Sequence, residues 1–109
     1  MKNIMNEEIY QKICDILVNV LPEKWENIVF KAEYGEESYE MKYWVDSGNG
    51  ELKDCFELAV VPKSQMVKTF IALNKVIAPE RNALEPKHKW KKMTLNISAN
   101  GKFNADFEY

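Results

Sequence analysis

The sequence has one histidine, two cysteines, four glycines and no long apolar run, and each scarcity removes a class of function. A metal centre needs clustered donors. Cys14 and Cys55 stand far apart, with no Cys-x-x-Cys and no Cys/His cluster, so both read as buried free thiols, Cys14 on an apolar helix stripe and Cys55 in a strand. The lone histidine lies in Lys87-His88-Lys89, and no Ser or Cys is tied to it by spacing. His88 reads as a solvent-exposed surface residue. Glycine is too sparse for a phosphate-cradling loop, since Gly48, Gly50 and Gly101 are each accounted for by a hairpin turn. No stretch approaches the roughly 18 apolar residues of a membrane span. The N-terminus turns acidic at Glu7-Glu8, where a signal peptide would need its apolar core, and a cytoplasmic protein is expected. Acid pairs such as Glu36-Glu37, or Asp54 with Glu57, follow from an acid-rich composition and carry no signature of general acid/base work. No catalytic residue, metal ligand or cofactor is expected.

What is present suits a folded interaction protein. With 109 residues, 46% of them hydrophobic, the chain can bury a core as a single domain over residues 1–109. The net charge of -2 hides an uneven distribution. Residues 1–61 hold 13 acids and 6 bases, whereas residues 62–109 hold 4 acids and 9 bases. The run from Glu33 to Glu57 concentrates Glu33, Glu36, Glu37, Glu40, Asp46, Glu51, Asp54 and Glu57 against only Lys42 and Lys53. Two readings stand: an acidic surface for a basic partner, or a solvated face that keeps the protein soluble. Lys87, Lys89, Lys91 and Lys92 surround Trp90, but without a larger positive field this reads as a sheet-edge anchor rather than a nucleic-acid patch.

Periodicity predicts an α+β fold in the order α-β-β-β-α-β-β, an antiparallel sheet of about five strands with two helices on one face. Ile9, Ile13, Ile16 and Val20, followed one residue on by Tyr10, Cys14, Leu17 and Leu21, make a broad stripe on a helix from about Asn6 to Leu21, capped by Asn6 and ended by Pro22. Strands over about Asn27–Tyr34 and Ser38–Asp46 pair so that Tyr34 meets Tyr39, Ala32 Met41, Phe30 Tyr43 and Ile28 Val45. A tight turn with Gly48-Asn49 at its centre then sets Val45 against Leu52, and a third strand, from about Glu51 to Val60, sets Met41 against Phe56 and Tyr39 against Leu58. Ser64 is expected to cap a second helix carrying Met66, Phe70, Leu73 and Ile77, which Pro79 stops. Residues 79–89 form a connector, expected to be the most mobile segment. In the final hairpin only a three-residue loop, Ala99-Asn100-Gly101, places Ile97 opposite Phe103 and keeps the apolar rows on one face.

The same register puts Trp44 on the face away from the helices. A Trp among acids there reads either as an interface hot spot or as a ring shielded by Trp25 or the connector. Tyr10-Gln11-Lys12-Ile13, Leu21-Pro22-Glu23-Lys24-Trp25-Glu26, Tyr39-Glu40-Met41-Lys42-Tyr43, Trp90 before an apolar strand, and Gly101-Lys102-Phe103 leading to Phe107-Glu108-Tyr109 together resemble the YezG-like immunity proteins, bacterial antitoxins of polymorphic toxin systems. The resemblance spans nearly the whole chain. It implies a non-catalytic cytoplasmic protein that binds and neutralises a cognate toxin domain, commonly a nuclease, without touching nucleic acid or membrane itself. It carries no inhibitor residues across. The residues themselves nominate Glu33, Glu36, Glu37, Glu40, Trp44, Asp46, Glu51, Asp54 and Glu57 as the partner-binding set. The rival reading is a small-ligand or regulatory domain with a pocket lined by Tyr39, Tyr43 and Phe70.

Overall fold

The computed structural model describes residues 7–58 and 61–109. The order is helix α1 (Glu7–Leu17) with a 3-10 turn at Val18–Val20, strands β1 (Asn27–Tyr34), β2 (Tyr39–Asp46) and β3 (Leu52–Asp54), helices α2 (Cys55–Leu58) and α3 (Lys63–Asn82), a 3-10 turn at Pro86–His88, and strands β4 (Lys92–Ser98) and β5 (Phe103–Glu108). The strands form one antiparallel sheet in the order β3-β2-β1-β4-β5. The α+β class and the helix-over-sheet arrangement are as expected, with α2 as an additional short helix. The expected Asn6 cap and the Val60 end of the third strand lie outside the described residues.

Register follows from the apolar rows. Ile28, Phe30 and Ala32 of β1 face Val45, Tyr43 and Met41 on one side and Ile97, Leu95 and Met93 on the other. The last hairpin extends the rows through Phe103, Ala105 and Phe107. Ile9, Ile13 and Leu17 of α1 and Met66, Leu73 and Ile77 of α3 are buried against them. Tyr10 meets Phe103 at 5.9 Å and Tyr43 meets Phe70 at 6.1 Å, which lays α1 over the β4–β5 side and α3 over β1–β2. In the β4–β5 turn Gly101 takes φ 89° and donates its N–H to the Ser98 carbonyl, closing the three-residue loop as predicted.

The second hairpin departs from expectation. The Asp46 carboxylate accepts the N–H groups of Gly48 at 2.8 Å and Gly50 at 3.0 Å, so the chain makes a longer loop and pairing resumes with Asp46 opposite Leu52. Val45 therefore faces Lys53, not Leu52. One residue of slip turns β3 over. Leu52 ends 48% exposed, and the strand lasts three residues. Immediately beyond it Asp54 accepts the Phe56 N–H at 2.7 Å while Glu57 accepts the Asp54 N–H at 3.3 Å, a reciprocal cap that starts α2. Phe56, 51% exposed, does not oppose Met41, nor does Leu58 oppose Tyr39, and Cys55 is buried in a helix rather than a strand. Cys14 is half-buried, and both thiols are free.

Helix α3 also differs at both ends. Its cap is Pro62, whose carbonyl accepts from Gln65 and Met66, and Ser64 lies inside the first turn. Pro79 does not stop it. The ring removes one N–H, yet the helix continues to Asn82 because the following turn is tied down from outside. Arg81 donates from Nε to the Trp90 carbonyl at 2.7 Å, and its guanidinium carbon lies 4.9 Å from the Tyr34 ring and 5.5 Å from the Trp90 ring. Trp90 anchors the sheet edge through Phe107 of β5, and does so as a fully buried ring. It is 0% exposed, edge-on to Tyr34 and tilted against Phe107, so it fastens the end of α3 to β1 and β5. Its Nε1 has no partner among the described residues, so packing and the Arg81 bond hold the ring. Arg81→Ala should lower unfolding stability by about 1–3 kcal/mol. Hydrogen exchange should show the turn after Pro79 losing protection first, with α1 unaffected.

Candidate functional site

The sheet's other face carries no helix among the described residues, and alternation along β1 and β2 decides what it displays. Val29, Lys31 and Glu33 stand opposite Trp44, Lys42 and Glu40. The Trp44 ring is flanked by two ammonium groups, Lys31 Nζ at 5.2 Å and Lys42 Nζ at 5.3 Å from its centroid. These lysines half-bury it, while Trp25 packs against the core instead. A shallow groove of about 440 Å³ runs beside the indole, lined by Lys31, Glu33, Glu40, Lys42 and Lys92. The two lysines were legible in the predicted register, since Lys42 precedes Trp44 by two positions and Lys31 lies across from Lys42. What the register does not show is that both ammonium groups come to the ring itself.

The nine nominated residues do not form one continuous acidic patch. Glu33 and Glu40 face each other across β1 and β2, and Glu36 and Glu37 occupy the turn joining those strands. All four are exposed. No hydrogen bond or ion pair engages their carboxylates among the described residues. At the far end of β2 the acids have structural partners. Asp46 is buried and holds the β2–β3 loop. Asp54 pairs with Lys42 at 2.5 Å and caps α2. Glu57 completes that cap, and Glu51 is exposed in the loop. Lys31, Lys42 and Trp44 separate the two groups, so the face is a free acidic end, a cation-flanked indole, and a structural end.

The interior offers little reactive chemistry. Burial raises the Cys14 and Cys55 thiols above the ordinary cysteine value, which disfavours the nucleophilic thiolate. Burial likewise pushes the Tyr34 and Tyr43 phenols up to about 12. Of the rings expected to line a ligand pocket, Tyr43 is buried and packs edge to face on Phe70, whereas half-buried Tyr39 stacks on Tyr34 at 5.7 Å. His88 is exposed. Among the described residues no three His, Cys, Asp or Glu side chains group as a metal site requires, and no helix is long and apolar enough to cross a membrane.

A helix-backed antiparallel sheet whose opposite face is open and charged defines the class, an α+β scaffold presenting a sheet surface. The chain belongs to the YezG-like immunity protein family, whose model matches residues 6–109. A comparison with curated proteins returned no match. Family membership supports an immunity, or antitoxin, role with a cognate toxin as partner.

The structural acids give the fold an acid-sensitive element. The Gly48 N–H holds Asp46, and Lys42 holds Asp54, below the ordinary carboxyl value of 3.8. Their contribution is fully present above that value and is lost as pH falls through the lower folded-state values. Asp46→Asn and Asp54→Asn should each lower the thermal midpoint at pH 7 and flatten its decline on acidification, followed by circular dichroism. Glu36→Gln should leave both unchanged.

Proposed function

We propose that this protein neutralises a nuclease toxin by laying the acidic end of its open sheet face on the toxin's basic, nucleic-acid-binding surface. It acts in the cytoplasm as a single non-catalytic domain, without contacting nucleic acid or membrane. The observation carrying this reading is the placement of Glu33 opposite Glu40 beside the Glu36-Glu37 turn. These four exposed carboxylates make no hydrogen bond or ion pair among the described residues, and a basic surface would complement them. Charge of this kind raises the encounter rate, whereas a desolvated aromatic sets how long the complex lasts. Trp44 fits the second role, because its flanking lysines hold the indole in place beside the acidic end. Asp46, Asp54 and Glu57, already committed to loop and cap, contribute by shaping the face, and Glu51 lies at its margin.

The test measures association and dissociation with the toxin domain encoded beside this gene. Combined Glu36→Lys, Glu37→Lys and Glu40→Lys should slow association by roughly tenfold or more at low salt, with the difference shrinking as salt is added and the thermal midpoint held. Trp44→Ala should instead raise the dissociation rate by about tenfold or more. Unchanged association kinetics in the triple variant would discard the acidic-face reading.

A further inference from the structure

We infer that two copies of this chain join through β5, antiparallel about a two-fold axis at Ala105, to make one continuous sheet. The inference is independent of the toxin reading, and the protein alone can test it.

The two edges of the sheet are unlike. Strand β3 is three residues long and gives way at once to α2, which leaves little to pair with. Strand β5 runs six residues, Phe103–Glu108, with no Pro or Gly and no charge on its inward row. Its parity is set by the β4 ladder. The Lys102 carbonyl accepts from Ser98 and the Glu108 carbonyl from Lys91, so the even-numbered residues spend their backbone groups on β4. The odd-numbered residues Phe103, Ala105 and Phe107 therefore turn their N–H and C=O groups away from the sheet, and no described strand takes them up. Those residues also carry the half-buried inward row. Tyr10 packs on Phe103 and Trp90 on Phe107, so the edge is held extended before anything binds.

The side chains select a second copy as the occupant. With Ala105 opposite Ala105 of the other copy, Phe103 meets Phe107 on the inner face. On the outer face Lys102 meets Glu108 and Asn104 meets Asp106. The outward backbone groups of Phe103, Ala105 and Phe107 then bond reciprocally across the axis, as an isologous interface requires. Moving the axis to Asp106 sets Asp106 against itself, and moving it to Phe107 sets Asp106 against Glu108. Moving it to Asn104 separates the phenylalanines and leaves Phe107 facing Gly101. Only the Ala105 register satisfies apolar row, charges and backbone together.

Sedimentation equilibrium of the full chain between about 1 µM and about 1 mM, the range for a small interface of backbone bonds, should show a concentration-dependent dimer. Lys102→Glu and Glu108→Lys each set like charges across the seam and should raise the dimer dissociation constant roughly tenfold, while the double variant restores it. Ala105→Pro removes an N–H that β4 does not use and should abolish the dimer with the circular dichroism spectrum retained. A monomer throughout this range overturns the inference, as does a dimer indifferent to the charge variants. A monomer whose toxin binding is lost in Ala105→Pro also overturns it, because the edge then belongs to a toxin strand.

Discussion

The structure depends on β1 being paired on both sides while its inward row lies beneath both helices. Ile28, Phe30 and Ala32 form the middle of three lateral rows that cross β2, β1 and β4. A slip of one residue on either side would send buried side chains to the open face and bring Lys31 and Glu33 under α1 and α3. Such a slip is prohibitive, because each large side chain in these rows contributes about 1.5–3 kcal/mol by leaving water. The pairing is fixed by burial, and everything displayed on the far side inherits that fixity.

This division separates stability from recognition. The inward rows hold the sheet and the outward rows are free to vary, so the face can carry Glu33 against Glu40, and Lys31 against Lys42, like charges placed opposite each other at some cost. The cost is softened where it matters. Lys42 reaches Asp54, and both lysines lie along the Trp44 ring, so the ammonium groups find partners within the face. The Glu33–Glu40 pair makes no ion pair among the described residues, and the cation beside it is Lys92, opposite Glu33 across β1 and β4. An acidic pair with so little cancellation is more comfortable against a cation than in isolation.

The Arg81 cluster shows the same logic inside. A proline within a helix and a buried indole nitrogen without a partner are both unfavourable taken singly. They persist because Arg81, Tyr34, Trp90 and Asn74 are joined, with the Tyr34 hydroxyl donating to Asn74 Oδ1 at 2.6 Å and Arg81 bonding the Trp90 carbonyl. That joint brings the end of α3 to the start of β4 and leaves only a short connector.

Much was legible in the chain itself. The β1–β2 register and the Ala99-Asn100-Gly101 loop could be read directly, because alternation fixes which residues share a face and the short connecting loops choose among the pairings of that parity. The family resemblance likewise rested on residues spread along the sequence. Where local signals compete, the chain alone does not choose between them. Gly48-Asn49 is a sound tight turn by its own chemistry, and Pro79 a sound helix stop. Asp46 bonding the N–H groups two and four residues on is a local turn that competes with the tight one, and its own chemistry does not rank the two; Arg81 reaching a carbonyl nine residues on is settled only when α3 and β4 meet. The candidate face divides in the same way. The acids and Trp44 were visible as composition, but only the paired strands decided which carboxylates stand free and which hold loops and caps. Alternation settles which side a residue faces; whether its charge is already taken depends on neighbours brought in from other strands.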